Sequence, residues 1–137
     1  MNVLKSYDLL VGATICSENF FPELSRKFVL NGAKILTNHT NDAWFFDSYA
    51  PYQHFVMNIF RAIENRKNVV VSANTGISAI IDSVGNVVKK TNLNENTSFI
   101  CEAYQNDIVT IYDKIGDVFC YLCMLFTMFI IVIVFII

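Results

Sequence analysis

The sequence has no excess of positive charge. Ten Lys and Arg residues stand against twelve Asp and Glu residues, which gives a formal net charge of −2. Without a basic stripe to neutralise phosphates, this composition argues against a nucleic-acid partner. Cysteine is also scarce: the four cysteines have neither the density of a disulfide scaffold nor the paired spacing of a zinc site. The chain has no internal repeat and no low-complexity linker, and its 137 residues leave room for one domain at most.

Charged residues are missing altogether from residues 118–137, VFCYLCMLFTMFIIVIVFII. A helix of about 20 apolar residues matches a hydrocarbon core about 30 Å thick, so a transmembrane helix is predicted. The segment lies at the wrong end of the chain for a signal peptide. Cys120 and Cys123 fall within it and are predicted to face the bilayer as small hydrophobic residues. The chain is therefore divided into a globular part, residues 1–115, and a transmembrane helix, residues 116–137.

The globular part alternates between strand-like and helix-like runs, which is typical of an α/β layer fold. Cys101 lies in one of the predicted strands and is interpreted as a core residue. Gly76 lies in a turn at residues 74–76 and is predicted to supply a positive φ. The predicted strands are residues 9–16, 34–40, 69–73, 77–82, 87–91, 98–104 and 108–112, and the predicted helices are residues 22–31 and 52–65.

Cys16 ends the first predicted strand and is followed by a short turn and a helix. Its side chain should therefore stand at the carboxyl edge of the sheet, where ligands bind in open α/β sheets. The amide dipoles at the start of a helix favour the thiolate form of a nearby thiol. On position alone, a reactive thiol and an ordinary packing residue both remain open.

Three sequence segments, taken together, favour a reactive thiol at Cys16 over an ordinary packing residue. They are ICSENFFPEL, NGAKILTNHTNDAWFFDSYAPYQH and RAIENRKNVVVSANTGISAIIDSVGNV, in that order along the chain. They resemble the C-terminal half of nitrilase-superfamily (carbon-nitrogen hydrolase) domains, and within that superfamily the apolipoprotein N-acyltransferase branch. The resemblance covers residues 9–89, and the apolar segment after the domain supports the acyltransferase branch. It implies the C-terminal half of an α-β-β-α sandwich followed by one transmembrane helix.

By this resemblance Cys16 matches the nucleophile of the family, although Ser17 stands where the family usually has an aromatic residue. The resemblance implies that the thiolate attacks an ester of a phospholipid and that the resulting thioester is opened by an amine. That amine would be the α-amino group of the N-terminal diacylglyceryl-cysteine of an apolipoprotein. No metal or organic cofactor is implied. The implied location is the bacterial cytoplasmic membrane, with the nitrilase-like part on the periplasmic side.

The resemblance also implies supporting roles around the pocket for Asn41, Asp42, Trp44 and Asn74. Without it, residues 41–44 would equally fit an Asx-type turn with the Trp packed on it. Glu18 has two open interpretations. It either accepts backbone amides in the loop after Cys16 or is a solvated acid.

Two further pairs are interpreted as structural. His39 and His54 are not at metal-ligand spacing, and each is predicted to be a hydrogen-bonded loop or cap residue. Arg61 and Glu64 are three residues apart on a predicted helix and are expected to form an ion pair of the scaffold.

The general base of the superfamily is a glutamate and its oxyanion-stabilising group is a lysine, both well before the nucleophile. Only fifteen residues precede Cys16; none is a glutamate, and Lys5 does not match the family's lysine context. We therefore expect the isolated chain to be inactive and to need a separate N-terminal fragment. Two alternatives remain open: a non-catalytic truncated or split-gene remnant, and a carbon-nitrogen hydrolase (amidase) that releases its product to water. The apolar tail disfavours the hydrolase.

Overall fold

A six-stranded mixed sheet with helices against it forms the globular part of the chain. Residues 2–46 and 48–136 are described by a computed structural model, apart from the side chain of Ile136. The strands are β1 Leu4–Ser6, β2 Leu9–Ile15, β3 Ile35–Thr40, β4 Asn68–Ala73, β5 Ala79–Ile81 and β6 Val87–Lys90. The helices are α1 Pro22–Leu30, α2 Ala50–Asn65, α3 Ile111–Ile115 and α4 Val118–Ile136. Two 3-10 turns, Cys16–Phe20 and Asp42–Phe45, follow β2 and β3.

The strands lie in the sheet in the same order as in the chain. β2, β3 and β4 are parallel, whereas β1, β5 and β6 pair antiparallel at the two sides. The three parallel strands are joined through α1 and α2. Their carboxyl ends therefore meet at one edge of the sheet, and the chain leaves each of them through a turn at that edge.

One face of the sheet carries the hydrophobic core. Alternate side chains of β3 and β4 point to this face, because successive residues of a strand face opposite sides. Leu36, Val69 and Val71 pack there against Phe28 of α1 and Ala62 of α2, and all five are buried. Each large apolar side chain buried in this way contributes roughly 1.5–3 kcal/mol to folding. The α/β fold class is confirmed.

The ends of α1 and α2 follow local sequence signals. Pro22 occupies the first turn of α1, where its missing N–H leaves no hydrogen bond unmade, and Gly32 just after the helix has φ of 94°. Arg66 caps the end of α2 and has φ of 49°. The predicted helices at residues 22–31 and 52–65 are confirmed, with α2 beginning two residues earlier.

The two last predicted strands, residues 98–104 and 108–112, are wrong. Residues 92–110 contain no helix or strand, and Cys101 is half-buried in this irregular segment rather than in the core. Lys67 holds the segment: its Nζ donates to Asn106 O and Oδ1, both at 2.9 Å, and to Ile108 O at 2.5 Å. Strand propensity reports only how well a side chain fits a pleated surface, and here a buried ammonium group binds the backbone instead. β1 was not predicted, because three exposed residues carry no alternation.

The chain reaches α4 through the short helix α3. Thr110 and Asp113 cap its start reciprocally. Arg26 of α1 ties it down, with Nε donating to Tyr112 O at 3.3 Å and Nη2 to Lys114 O at 3.1 Å. α4 is long and apolar enough to cross a membrane, with a mean hydropathy of 2.9 over Val118–Phe135. Ile137, the last residue of the predicted span, lies outside the described residues, and the division at residues 115 and 116 stays a prediction.

Candidate active site

Cys16 stands at a strained elbow between β2 and α1. Its φ is 51°, in the left-handed region that residues other than Gly rarely adopt. Such a conformation costs about 1–3 kcal/mol and persists only where the surrounding structure fixes it. The side chain is half-buried, with a free thiol. Strain of this kind clusters at functional sites, so the backbone conformation supports a functional role for Cys16.

Cys16 lines an open cleft of about 580 Å³ at the carboxyl edge of the sheet. The cleft therefore lies where the parallel strands end, as expected for a ligand site in an α/β sheet. Among the described residues that line it, none carries a carboxylate. They are Ile15, Cys16, His39, Thr40, Asn41, Trp44, Ser72, Ala73 and Asn74.

Of the residues predicted to support the site, three line this same cleft. Asn41 Oδ1 accepts from Ala43 N at 3.2 Å and from Asn74 Nδ2 at 3.4 Å, which joins the turns after β3 and β4. The first of these bonds is the predicted Asx-type turn. The Trp44 ring is not packed on it, because 78% of this residue is exposed. Its indole is free to contact a molecule in the cleft.

Glu18 acts on the backbone before Cys16. Its Oε2 accepts from Ile15 N at 2.8 Å and so closes the elbow around the cysteine. Glu18 therefore accepts a backbone amide, as one of its two interpretations has it, but the amide lies before Cys16 and not in the loop after it. Glu18 is not among the residues that line the cleft.

Asp42 lies behind the elbow rather than in the cleft. It is 5% exposed, and its Oδ1 accepts from the Thr40 hydroxyl at 2.7 Å and lies 2.8 Å from Nδ1 of His54. Burial raises the pKa of Asp42, but the hydrogen bonds from His54 and Thr40 and the charge of His54 outweigh it, so the pKa of Asp42 is lowered. The carboxylate therefore stays ionised although it is buried.

The sequence predicts His54 only as a hydrogen-bonded loop or cap residue. It is hydrogen-bonded, but on α2 and fully buried, with 1% of its surface exposed. Its ring stacks on Phe20 at 5.1 Å and meets the edge of Phe45 at 5.9 Å. Burial lowers the pKa of His54, but its hydrogen bonds to Asp42 and to Cys16 O and the charge of Asp42 outweigh it, so the pKa is raised. His39, by contrast, is an exposed residue of β3 at the cleft.

Asn38 also supports the elbow, and nothing in the sequence singled it out. It is fully buried in β3, and its Nδ2 donates to Thr14 Oγ1 at 3.0 Å and to Cys16 O at 3.1 Å. The available signal was an Asn at a strand position that the alternation assigns to the core face. A buried amide must find partners, and these partners lie on the neighbouring strand and elbow.

The predicted reason for the glycine at position 76 is wrong. Gly76 has no positive φ, which was the predicted reason for a glycine there. A Cβ at this position would lie 2.1 Å from Asp42 Oδ2 and 2.7 Å from Asp42 Cγ. The glycine is therefore required because the buried carboxylate passes directly over its backbone.

Known proteins are similar to this chain in sequence and in fold. The profile of the family described as carbon-nitrogen hydrolase matches residues 1–112. The chain belongs to the carbon-nitrogen hydrolase family. Relatives named apolipoprotein N-acyltransferase include one from Geobacter metallireducens, 46% identical over 82% of this chain, and one from Thermotoga maritima, 41% identical over 79% of this chain. The chain spans about a fifth of the length of these relatives, 22% in both cases.

Solved structures agree on the fold. Yeast Nit3, described as a member of branch 10 of the nitrilase superfamily, superposes with a TM-score of 0.60 at 20% identity. That match covers 69% of this chain and 38% of Nit3. A carbon-nitrogen hydrolase from Helicobacter pylori gives a TM-score of 0.58 at 16% identity over 65% of this chain and 38% of its own. The predicted nitrilase-type fold, with one apolar helix that could span a membrane, is confirmed.

Proposed function

We propose that this chain carries the nucleophile of an apolipoprotein N-acyltransferase, with Cys16 as the acyl carrier. The observation that supports this most strongly is a half-buried cysteine on a strained elbow that lines a cleft, in a chain that also contains an apolar helix of membrane length. The names of the relatives point to the same activity. The proposed location is the bacterial cytoplasmic membrane, with the cleft on the periplasmic side.

The proposed reaction has two steps. The Cys16 thiolate attacks the ester carbonyl of a phospholipid, the bond to the glycerol oxygen breaks, and the lysophospholipid leaves as an alcohol after taking up a proton. The α-amino group of the diacylglyceryl-cysteine then attacks the thioester. An amide forms, the amine loses a proton, and the thiolate is released. Both steps pass through an oxyanion, which needs fixed hydrogen-bond donors.

The glutamate base and the oxyanion-stabilising lysine that the resemblance implies are not among the described residues that line the cleft. We propose that these two groups come from a further polypeptide segment, corresponding to the part of the relatives that this chain does not cover. Loss of such a base or donor costs about 10²- to 10⁴-fold in rate for each group. The 137 residues alone are therefore expected to have little activity.

The test uses membranes in which this chain is produced together with the upstream portion of the Geobacter metallireducens relative. A phospholipid with a labelled acyl chain is supplied, followed by a diacylglyceryl lipopeptide. We expect a hydroxylamine-sensitive label on Cys16 and then label on the lipopeptide amine. Cys101→Ala is the matched control and should leave both signals intact. Labelled lipopeptide in the Cys16→Ala variant would contradict the proposal.

The same experiment separates the other candidate functions. A carbon-nitrogen hydrolase would cleave small amides and would not label the lipopeptide. A non-catalytic remnant would leave Cys16 unlabelled with and without the upstream portion. The apolar helix α4 favours the transferase, because a hydrolase acting on soluble amides has no use for a membrane anchor.

A further inference from the structure

The backbone carbonyl of Cys16 accepts two hydrogen bonds from buried side chains. Asn38 Nδ2 lies 3.1 Å from this oxygen, and His54 Nε2 also lies 3.1 Å from it. A carbonyl oxygen only accepts, so Nε2 of His54 must carry a hydrogen. The contact therefore fixes the protonation of this ring nitrogen.

The other ring nitrogen faces an acceptor as well. Nδ1 of His54 lies 2.8 Å from Asp42 Oδ1, and the Thr40 hydroxyl donates to the same oxygen at 2.7 Å. Because an ionised carboxylate only accepts, Nδ1 must also carry a hydrogen. His54 is then an imidazolium that bridges a carboxylate and the carbonyl of the candidate nucleophile, and Asp42 fixes the plane of its ring.

The surroundings keep this bridge dry. Phe20 stacks on the His54 ring with an angle of 11° between the planes, and the Phe45 ring lies against it at 80°. Asp42 is the charged group paired with the ring, and Glu18, on the same turn as Cys16, is bound to Ile15 N. In this apolar enclosure a hydrogen bond from a charged donor is stronger than one at the surface.

We propose that His54, oriented by Asp42, is a positioning residue for the nucleophile: its Nε2–H holds the Cys16 carbonyl and thereby the left-handed backbone that presents the thiol to the cleft. The elbow needs such a restraint because a φ of 51° is unfavourable for a cysteine. The proposal rests on the proposed function only in taking Cys16 as the reacting group. It assigns His54 no contact with substrate.

The first test measures how fast iodoacetamide alkylates Cys16 in the full chain in detergent, with Cys101 of the same molecule as an internal control. Loss of a hydrogen bond from a charged donor corresponds to about a tenfold or larger change in an equilibrium constant. His54→Phe should therefore lower the alkylation rate of Cys16 by at least that factor and leave the alkylation rate of Cys101 unchanged. His54→Gln keeps a donor at the position of Nε2 and should recover part of the rate. Val69→Ala, a core truncation in β4, controls for general destabilisation.

Equal slowing of Cys16 in His54→Phe and Val69→Ala would overturn the proposal, as would an unchanged rate in His54→Phe. A second measurement needs no variant that has to fold. In protein labelled with ¹⁵N-histidine, both ring nitrogens of His54 should show protonated chemical shifts at neutral pH, with exposed His39 as the reference. An unprotonated Nε2 would rule out the bond to Cys16. Neither measurement uses a lipid, so their outcome is independent of whether the chain transfers acyl groups.

Discussion

Side chains from three separate elements hold the backbone around Cys16. Glu18 binds the amide before it, Asn38 binds its carbonyl from the next strand, and His54 binds the same carbonyl from α2. A left-handed cysteine is stable only if its neighbours restrain it on both sides. The reactivity of the thiol is therefore expected to depend on residues that never touch its sulfur.

Gly76→Ala tests the space in which Asp42 sits. The new Cβ would overlap the Asp42 carboxylate, so the carboxylate or the backbone at residue 76 must shift, and we expect the contact between Asp42 and His54 to be disturbed. We expect a loss of about 1–3 kcal/mol in the free energy of unfolding and a change in the His54 ¹⁵N shifts. The measurements are urea unfolding followed by circular dichroism, and NMR.

Gly12→Ala is the matched control for this substitution. Its Cβ would lie 2.6 Å from Phe28 Cβ, so it should cost comparable stability through the core while the His54 shifts stay unchanged. A Gly76→Ala variant with unaltered stability and unaltered shifts would contradict the steric argument.

The His54 and Asp42 pair also makes stability depend on pH. The pKa of His54 is raised above its ordinary 6.5, so its contribution is complete below pH 6.5 and is lost as the pH rises through the folded-state value. The pKa of Asp42 is lowered below 3.8, so its contribution is complete above pH 3.8 and is lost as the pH falls through its folded-state value. The pair should therefore contribute most to the free energy of unfolding between pH 3.8 and pH 6.5.

The measurement is the difference in unfolding free energy between the wild type and His54→Gln, followed from below pH 3.8 up to about pH 9. We expect the difference to be largest near pH 5 and to shrink as the pH rises above 6.5. A difference that grows steadily from pH 5 to pH 9 has the opposite sign and would refute the assignment of a charged His54.

At the scale of residues, the sequence predicts the thiol and leaves Glu18 open as an acceptor of backbone amides, but it predicts neither Asn38 nor His54 as a restraint. A strand followed by Cys16, a turn and a helix is a local pattern. The bridge from Asp42 through His54 to Cys16 O joins residues 12 and 38 positions apart, and only the packing of α2 against the elbow brings them together. Hydrophobic periodicity has no information about a buried polar contact of this kind.

At the scale of elements, the irregular segment at residues 92–110 is held by several contacts, of which Lys67 makes the most deeply buried. Lys67 is 1% exposed and donates three hydrogen bonds to Asn106 and Ile108. Replacing it by Met should release this segment, because hydrogen bonds from a charged donor contribute about 1.5–3 kcal/mol.

Limited proteolysis and hydrogen exchange measure this release. In Lys67→Met, cleavage between residues 97 and 110 should accelerate, and the Ile108 amide, which donates to Asn106 Oδ1 at 3.1 Å, should lose protection. Lys27→Met, at an exposed lysine that pairs with Glu23 at 3.8 Å, should change neither. Equal protection in both variants would show that other contacts hold the segment.

The elements from β2 to β6 could be predicted because their apolar residues recur at strand or helix spacing. The wrong strands at residues 98–104 and 108–112 have the same spacing, and Ile100 nevertheless is 96% exposed. A strand requires a neighbouring strand edge as well as suitable side chains, and the sequence does not report which edges are available. The hydrogen bonds from buried Lys67 to this segment could not be predicted, since a lysine is ordinarily a surface residue.

At the scale of the whole molecule, the described residues place α1 and α2 on one face of the sheet and continue into α4. Thirteen of the nineteen residues of α4 are Leu, Ile, Val or Phe, and none is charged. On an insertion scale each such residue contributes roughly −0.3 to −0.6 kcal/mol, so together they favour insertion by roughly 4–8 kcal/mol. An Arg at the centre of the helix costs roughly 2.5–3.5 kcal/mol.

These free energies predict that membrane insertion of α4 survives one added Arg and is lost when several are added. Leu125→Arg alone should leave insertion favourable, whereas Arg at Leu125, Met128 and Ile131 together should prevent it. Three central Arg residues cost roughly 7.5–10.5 kcal/mol, whereas the eleven Leu, Ile, Val and Phe residues that remain contribute roughly 3.3–6.6 kcal/mol. Flotation of vesicles on a density gradient measures this, since inserted protein floats whereas aggregated protein sinks. The triple Ala variant at the same positions should float like the wild type. If the triple Arg variant also floats, the exposed aromatic residues of the globular part, rather than α4, hold the chain on the bilayer.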